Sequence, residues 1–237
     1  MIAPKHMERP IEQMFSRIAR RYDRLNHLLS LGADRRWRAR AVEALDDRRT
    51  RRVLDLCCGT GDIGIECLRR YEGAHVTFAD FSTRMLELAR RKLAKTPAWA
   101  ERSEVVVADG LRLPFPDRSF DAVLCGFGVR NMSSEAEGLL EIKRVLKSGG
   151  TCVILEFFRP STWPARLFYR TFGTTLIPLA GLVVAGDFGA YRYLTRSILN
   201  HMRIDEFVFL METIGFRRVE GRHLSAGIAG LVHGRIA

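Results

Sequence analysis

The sequence predicts an α/β fold: seven strands in a mainly parallel sheet, with helices on both faces. Three observations carry that prediction. Between residues 52 and 157 short apolar runs alternate with amphipathic helical patterns, which calls for parallel strands joined by crossover helices. The first run opens directly into a glycine turn, Asp55-Leu56-Cys57-Cys58-Gly59-Thr60-Gly61-Asp62, and then into a helical pattern. The next two runs each end in an acid, Asp80 and Asp109, at the sheet edge where open α/β folds bind ligands.

The elements follow in order. Arg52-Val53-Leu54 starts the first strand, and Ile63 to Tyr71 is the helix after the glycine turn. His75 to Asp80 reads as the second strand. It is followed by a helix from Thr83 to Lys95 with apolar positions at Met85, Leu86, Leu88, Ala89 and Leu93. Glu104 to Asp109 and Ser119 to Cys125 are the third and fourth strands. The helix Glu135 to Leu146 is expected to stop at the turn Lys147-Ser148-Gly149-Gly150, before a fifth strand from Thr151 to Phe157. Helix Ile204 to Ile214 and strands Phe216 to Gly221 and Ile228 to Gly234 complete the core. The chain thus divides into an N-terminal helical cap (1–50), a nucleotide-binding core (51–157), an apolar helical insertion (158–203) and the closing elements (204–237).

Composition limits the function classes. A chain of 237 residues with 47% hydrophobic and 27% charged residues is ordinary for a globular protein. Its five cysteines show neither C-x-x-C nor disulfide-like spacing, and no apolar signal segment opens the chain, so a cytoplasmic location is expected. Net charge is +11. Residues 1–52 hold 14 Lys and Arg against 7 Asp and Glu, so +7 of it lies there. Such a balance suits an anionic partner, nucleic acid or a membrane surface, and equally an arginine-rich solvated face.

The glycine turn lacks Lys, the Gly-Lys-Ser/Thr of a phosphate loop and a full G-x-G-x-x-G. Its leading acid, Asp55, would repel a pyrophosphate and attract a cation. An adenosine ligand carrying an ammonium and a sulfonium fits that charge. Gly59, Thr60 and Gly61 let backbone approach it closely. Asp80, 19 residues after Gly61, is placed to accept hydrogen bonds from ribose hydroxyls, and Asp109 with Gly110 to meet the adenine edge. The form D-L-x-x-G-T-G-D resembles the first motif of class I S-adenosylmethionine-dependent methyltransferases. That implies their Rossmann-like fold and S-adenosyl-L-methionine as cofactor.

Further motifs narrow the resemblance. Val145 to Gly150 resembles the R-V-L-K-P-G-G turn of that class, with Ser148 in place of Pro. Phe127-Gly128-Val129-Arg130-Asn131 looks like the F-G-[LI]-R-N motif of the ubiquinone/menaquinone biosynthesis C-methyltransferases. Phe15 to Asn26, Ser30 to Gly32 with Arg35 to Arg38, and Val184 to Asp187 with Tyr191 to Leu194 and Ser197-Ile198 are similar to other segments of that family, in the same order. Gly126 stands where the family usually has a Ser in contact with the cofactor, so a backbone group would take the hydroxyl's place. Cys57-Cys58 replaces a pair of smaller residues, and Met202 follows His201 where Pro is frequent.

The resemblance implies methyl transfer to a ring carbon of a polyprenylated quinol. An aromatic carbon is a weak nucleophile until an adjacent hydroxyl loses its proton, so the enzyme must hold a phenolate-like oxygen and align carbon, methyl and sulfur. Arg130 is the candidate for that oxygen, since a guanidinium stays charged and offers fixed donors. Asn131 is a candidate for positioning it. Tyr22, Asn26 and Asp187 are candidates for quinol contacts or proton relay, and His201 for general base against an ordinary structural role. No metal is implied. Residues 171–186 carry no charge but include Pro178 and three glycines, too short and broken to span a bilayer. They suit a buried helix pair or an apolar lid for an isoprenoid tail, flanked by Arg166, Arg170 and Arg192. Peripheral contact with anionic lipid and a homodimer accompany that reading, and nucleic acid is not expected. A nucleic-acid methyltransferase is the alternative, but the chain has no N-P-P-[YF] and no Pro-Cys pair. A non-catalytic cofactor-binding paralogue is the third.

Overall fold

The structure, a computed structural model, describes residues 9–45, 50–173 and 188–237. Its centre is a seven-stranded sheet in the order β3-β2-β1-β4-β5-β7-β6. The strands are β1 (Arg52–Leu56), β2 (His75–Asp80), β3 (Ser103–Val107), β4 (Phe120–Gly126), β5 (Leu146–Glu156), β6 (Arg217–Leu224) and β7 (Ala229–Arg235). The first five run parallel, while β7 is antiparallel to both β5 and β6, so the sheet is mixed at one edge. Strand order reverses between β1 and β4, which puts the binding crevice beyond the ends of those two strands.

Helices α1 (Arg9–Leu29) and α2 (Ala33–Glu43) precede the sheet. Around it lie α3 (Asp62–Arg70), α4 (Thr83–Leu93), α5 (Pro97–Ala100), α6 (Glu135–Val145), α7 (Trp163–Phe168), α8 (Phe188–Asn200) and α9 (Ile204–Ile214). Local chemistry sets their ends. Ser82 and Ser134 accept the Met85 and Glu137 N–H groups as N-caps of α4 and α6, and Gly215 at φ 105° closes α9. Each sheet face carries its own core. Phe207, Met211, Ile142 and Phe158 belong to one, and Phe78, Leu68, Trp37 and Val42 to the other.

Three boundaries differ from expectation. Strand β3 stops at Val107, so Asp109 is not the last residue of a strand. Its carboxylate accepts the Leu111 N–H 2.9 Å away and caps its own turn. Helix α6 ends at Val145, and Leu146 is already extended (φ −76°, ψ 138°). The Lys147–Gly150 turn therefore sits inside β5 as an irregularity, between the pairs Phe120–Leu146 and Ala122–Thr151. In the insertion, α7 runs into a π-helical turn, Tyr169–Gly173. Residues 174–187, with most of the uncharged run and Asp187, lie outside the described residues.

Candidate functional site

The glycine corner forms as β1 turns into α3. Gly61 takes φ 86° at the helix N-terminus, a left-handed conformation that a side chain would strain. Asp55 lies beneath this turn, 1% exposed, and its Oδ2 accepts the Gly64 N–H at 2.9 Å. Burial pushes its carboxyl up to about 8, the Gly64 hydrogen bond resists, and Asp80 and Asp62 add to the rise. Asp55 therefore braces the corner from behind and does not line the groove. Asp80 is also buried, with Oδ2 on the Gly59 N–H at 2.8 Å and Oδ1 on the Ser82 N–H at 2.8 Å. It joins the glycine turn to the start of α4 and lines the groove at that point.

Above this corner a groove crosses the ends of β1, β2 and β4. Gly59, Asp80, Met85 and Gly126 line one half, and Asp109, Gly110, Leu111 and Met132 the other. Cys57, Phe81, Gly128 and Asn131 belong to both halves. Gly126 has a local cause: a Cβ there would come within 2.4 Å of Ile63 Cδ1, so Ile63 fills the space a Ser would need. One acid in each half, Asp80 and Asp109, among apolar side chains suits a cationic adenosine ligand.

Thr60 faces elsewhere. Its hydroxyl donates to Asp23 Oδ1 of α1 at 2.6 Å and accepts from Lys92 Nζ at 2.8 Å. Lys92 also reaches Asp23 at 2.7 Å and Asp62 at 2.5 Å, and Arg38 of α2 meets Asp62 at 3.5 Å. Both N-terminal helices are thus fastened to the back of the glycine turn by charge-assisted bonds.

On the other side of Phe127 lies an apolar cavity of about 190 Å³. Met14 and Ile18 of α1, Trp37 of α2, Phe127, Phe157, Phe168, Tyr169 and Ile198 line it. Trp37, Phe127 and Phe157 pack as a cluster with centroids 4.5–6.3 Å apart. Phe127 borders cavity and groove alike, so the two spaces meet there.

Arg130 and Asn26 line this cavity, whereas Asn131 lines the groove. Arg130 Nη1 pairs with Glu156 Oε1 at 2.5 Å and donates to the Phe127 carbonyl at 2.7 Å, with side chains only 4% and 0% exposed. Glu156 also accepts the Phe157 and Arg130 N–H groups. The guanidinium is therefore a charge-compensated donor at the wall. The sequence suggests a cation available to a substrate anion, whereas in the fold Glu156 already compensates its charge. Glu156 was not anticipated, although it repeats the strand-end acid pattern of Asp80. Two more cavity residues escaped sequence reasoning. Asp34 accepts from Ser30 at 2.9 Å, from His27 at 3.0 Å and from Arg38. Burial opposes its ionisation, but Arg38, His27 and Ser30 outweigh that and hold its carboxyl below the ordinary value. Tyr193 lies inside a quoted motif, and its hydroxyl reaches Asn131 Oδ1 at 3.0 Å.

His201 lines neither space. It is 4% exposed, stacked on Phe158, with Nδ1 on the Phe157 carbonyl at 3.1 Å and Nε2 3.1 Å from Glu135. Burial lowers its proton affinity, yet Glu135 and neighbouring acceptors raise it above the ordinary value overall. The general-base expectation gives way to a structural one: His201 pins the end of α8 to β5 and α6. The backbone of Tyr22 lies in α1, while its side chain, like Asp187, falls outside the described residues.

The model of the ubiE/COQ5 methyltransferase family matches residues 3–235. A demethylmenaquinone methyltransferase of Thermus thermophilus is 44% identical over 220 residues, covering 92% of this chain and 97% of that protein. A ubiquinone/menaquinone biosynthesis C-methyltransferase of Geobacter sulfurreducens is 41% identical, covering 94% and 87%. Among solved structures, a SAM-dependent methyltransferase of Thermotoga maritima superposes with a TM-score of 0.67 at 20% identity, covering 95% and 99% of the two chains, a likeness of fold.

Proposed function

The chain belongs to the ubiE/COQ5 methyltransferase family, and from that premise we propose how its groove and cavity carry out the reaction. It is an S-adenosylmethionine-dependent C-methyltransferase that methylates the ring of a polyprenylated quinol, demethylmenaquinol or the methoxy-benzoquinol of ubiquinone synthesis. The observation that carries the site assignment is the shared Phe127 wall, which sets an aromatic-lined cavity against an acid-lined groove. S-Adenosylmethionine, when bound, supplies an electrophilic methyl group on sulfur. Asp80 would hold its ribose hydroxyls, Asp109 and Gly110 its adenine edge, and Gly59 and Gly126 would admit it closely. Asp80, at the groove wall, contributes negative charge beside the glycine turn.

In the cavity, Trp37, Phe127 and Phe157 would clamp the quinol ring and exclude water, which strengthens every polar contact there. Arg130, oriented by Glu156, would donate to the ring oxygen as it becomes phenolate-like, and Asn26 would contact the same ring. Tyr22 and Asp187 remain candidates for the quinol hydroxyls on the strength of the family motifs. The test is transfer of labelled methyl to reduced demethylmenaquinone and, separately, to the demethylated methoxy-benzoquinol, by wild type and Arg130→Lys. Product with either quinol, strongly reduced in the variant because Lys cannot keep two fixed donors, is the expected result. Undiminished transfer by the variant would remove Arg130 from the site.

The greasy substrate also supports a peripheral membrane position. Among the described residues no helix is long and apolar enough to cross a membrane. Leu31, at the cavity wall, is 90% exposed, and Trp163 of α7 is 71% exposed beside Arg166. Apolar tips among basic residues suit an interface with anionic lipid. Vesicles containing phosphatidylglycerol should carry the protein in a flotation gradient at low salt and release it at high salt. Absence of binding to those vesicles would refute the lipid contact.

A further inference from the structure

Where cavity and groove meet, hydrogen-bond directions are fixed by elimination. The Phe127 carbonyl can only accept, and Asn131 presents its amide nitrogen to it at 3.2 Å. The Asn131 amide oxygen must then face the other way, toward Tyr193 at 3.0 Å. An amide oxygen only accepts, so the Tyr193 hydroxyl has to donate its one proton to it. What Tyr193 keeps for the cavity it lines is lone-pair capacity alone. Removal from water keeps the phenol protonated, with Glu156 acting in the same direction against the pull of Arg130, so this polarity holds at neutral pH.

We infer that Tyr193 reads the redox state of the acceptor: its hydroxyl oxygen accepts from the hydroxyl of a quinol and offers nothing to the carbonyl of a quinone. The inference rests on the quinol reading above. It assigns to α8 a specificity that the glycine turn and the Arg130 motif do not supply. The discrimination is also chemically useful, since only the reduced ring carries the electron density that methyl transfer consumes. A site built to accept from a ligand hydroxyl disfavours the analogue lacking that donor, because a carbonyl would put two acceptors face to face.

The test is anaerobic binding, by the full chain saturated with S-adenosylhomocysteine, of a short-chain demethylmenaquinone in its reduced and oxidised forms. Wild type should bind the quinol about tenfold or more tighter than the quinone, the scale of one hydrogen bond with its repulsive counterpart. Tyr193→Phe should bring the two affinities within about twofold of each other, whereas the loss of the bond to Asn131 lowers melting temperature and acts on both quinone forms alike. A purely structural role for Tyr193 would weaken both forms together and leave their ratio intact. Equal wild-type affinities, or a ratio that survives Tyr193→Phe, would overturn the inference. Methyl transfer by wild type to the same quinol is the separate control. Its absence would overturn the quinol reading and this inference with it, whereas transfer with an unchanged ratio would overturn the inference alone.

Discussion

Asp55 makes the stability of this protein depend on pH. Its carboxyl is buried under the glycine turn and pushed up from 3.8 to about 8. The folded state therefore favours the protonated form. That advantage is complete below 3.8 and is lost as pH rises through about 8, where folding must bury a charge. Asp55→Asn keeps an oxygen for the Gly64 N–H and removes the titration. The variant should be more stable than wild type without ligand, with the gain larger at pH 8 than at pH 5 in denaturant titrations. Its S-adenosylmethionine affinity near pH 7 should change little, because the buried Asp55 carboxyl is already protonated there. A stability gain independent of pH would show that Asp55 does not carry the buried proton.

At the scale of elements, the N-terminal helices wall the cavity and are tied to the back of the glycine turn. Lys92 joins Asp23 of α1 to Asp62 and Thr60 of the glycine turn, while Ser16 meets Ser82 at 3.2 Å. Met14 and Ile18 on the same helix line the quinol cavity. Lys92→Met should therefore loosen α1 specifically: amide exchange across Arg9–Leu29 should quicken while β1 and β4 stay protected, and the KM for quinol should rise. Uniform exchange changes throughout the sheet would argue against a local clamp. The strands and helices of the core were legible in the sequence because their periodicities and caps are local. Ser82, Ser134 and Gly215 mark helix ends within one turn of chain. The ends of β3 and α6 were misplaced because their causes lie elsewhere: Asp109 caps its own turn, and pairing with β4 draws Leu146 out of the helix. Gly59 from the glycine turn, Asp80, Asp109 and Gly110 from acid-ended runs, and Gly126 from the family resemblance are expected at the cofactor, and all five line the groove. Thr60 was assigned to the ligand because nothing near it in sequence announces Asp23 and Lys92. The Glu156 partner of Arg130 lies 26 residues away and becomes visible only when β4 and β5 pair.

At the scale of the whole molecule, strand order and added helices together make the reaction space. The reversal between β1 and β4 opens the groove, and α1, α2, α7 and α8 bring apolar side chains over the Phe127 side to build a cavity the sheet alone lacks. The central claim is that this cavity presents a ring carbon, and not a ring oxygen, to the methyl group in the groove. It is tested most directly by incubating the enzyme with S-adenosylmethionine labelled with carbon-13 in its methyl group and reduced demethylmenaquinone, then recording the NMR spectrum of the extracted product. The expected spectrum shows one labelled methyl bonded to ring carbon, with long-range couplings to the carbons beside it. A labelled methyl on oxygen, or label absent from the quinone, would contradict it.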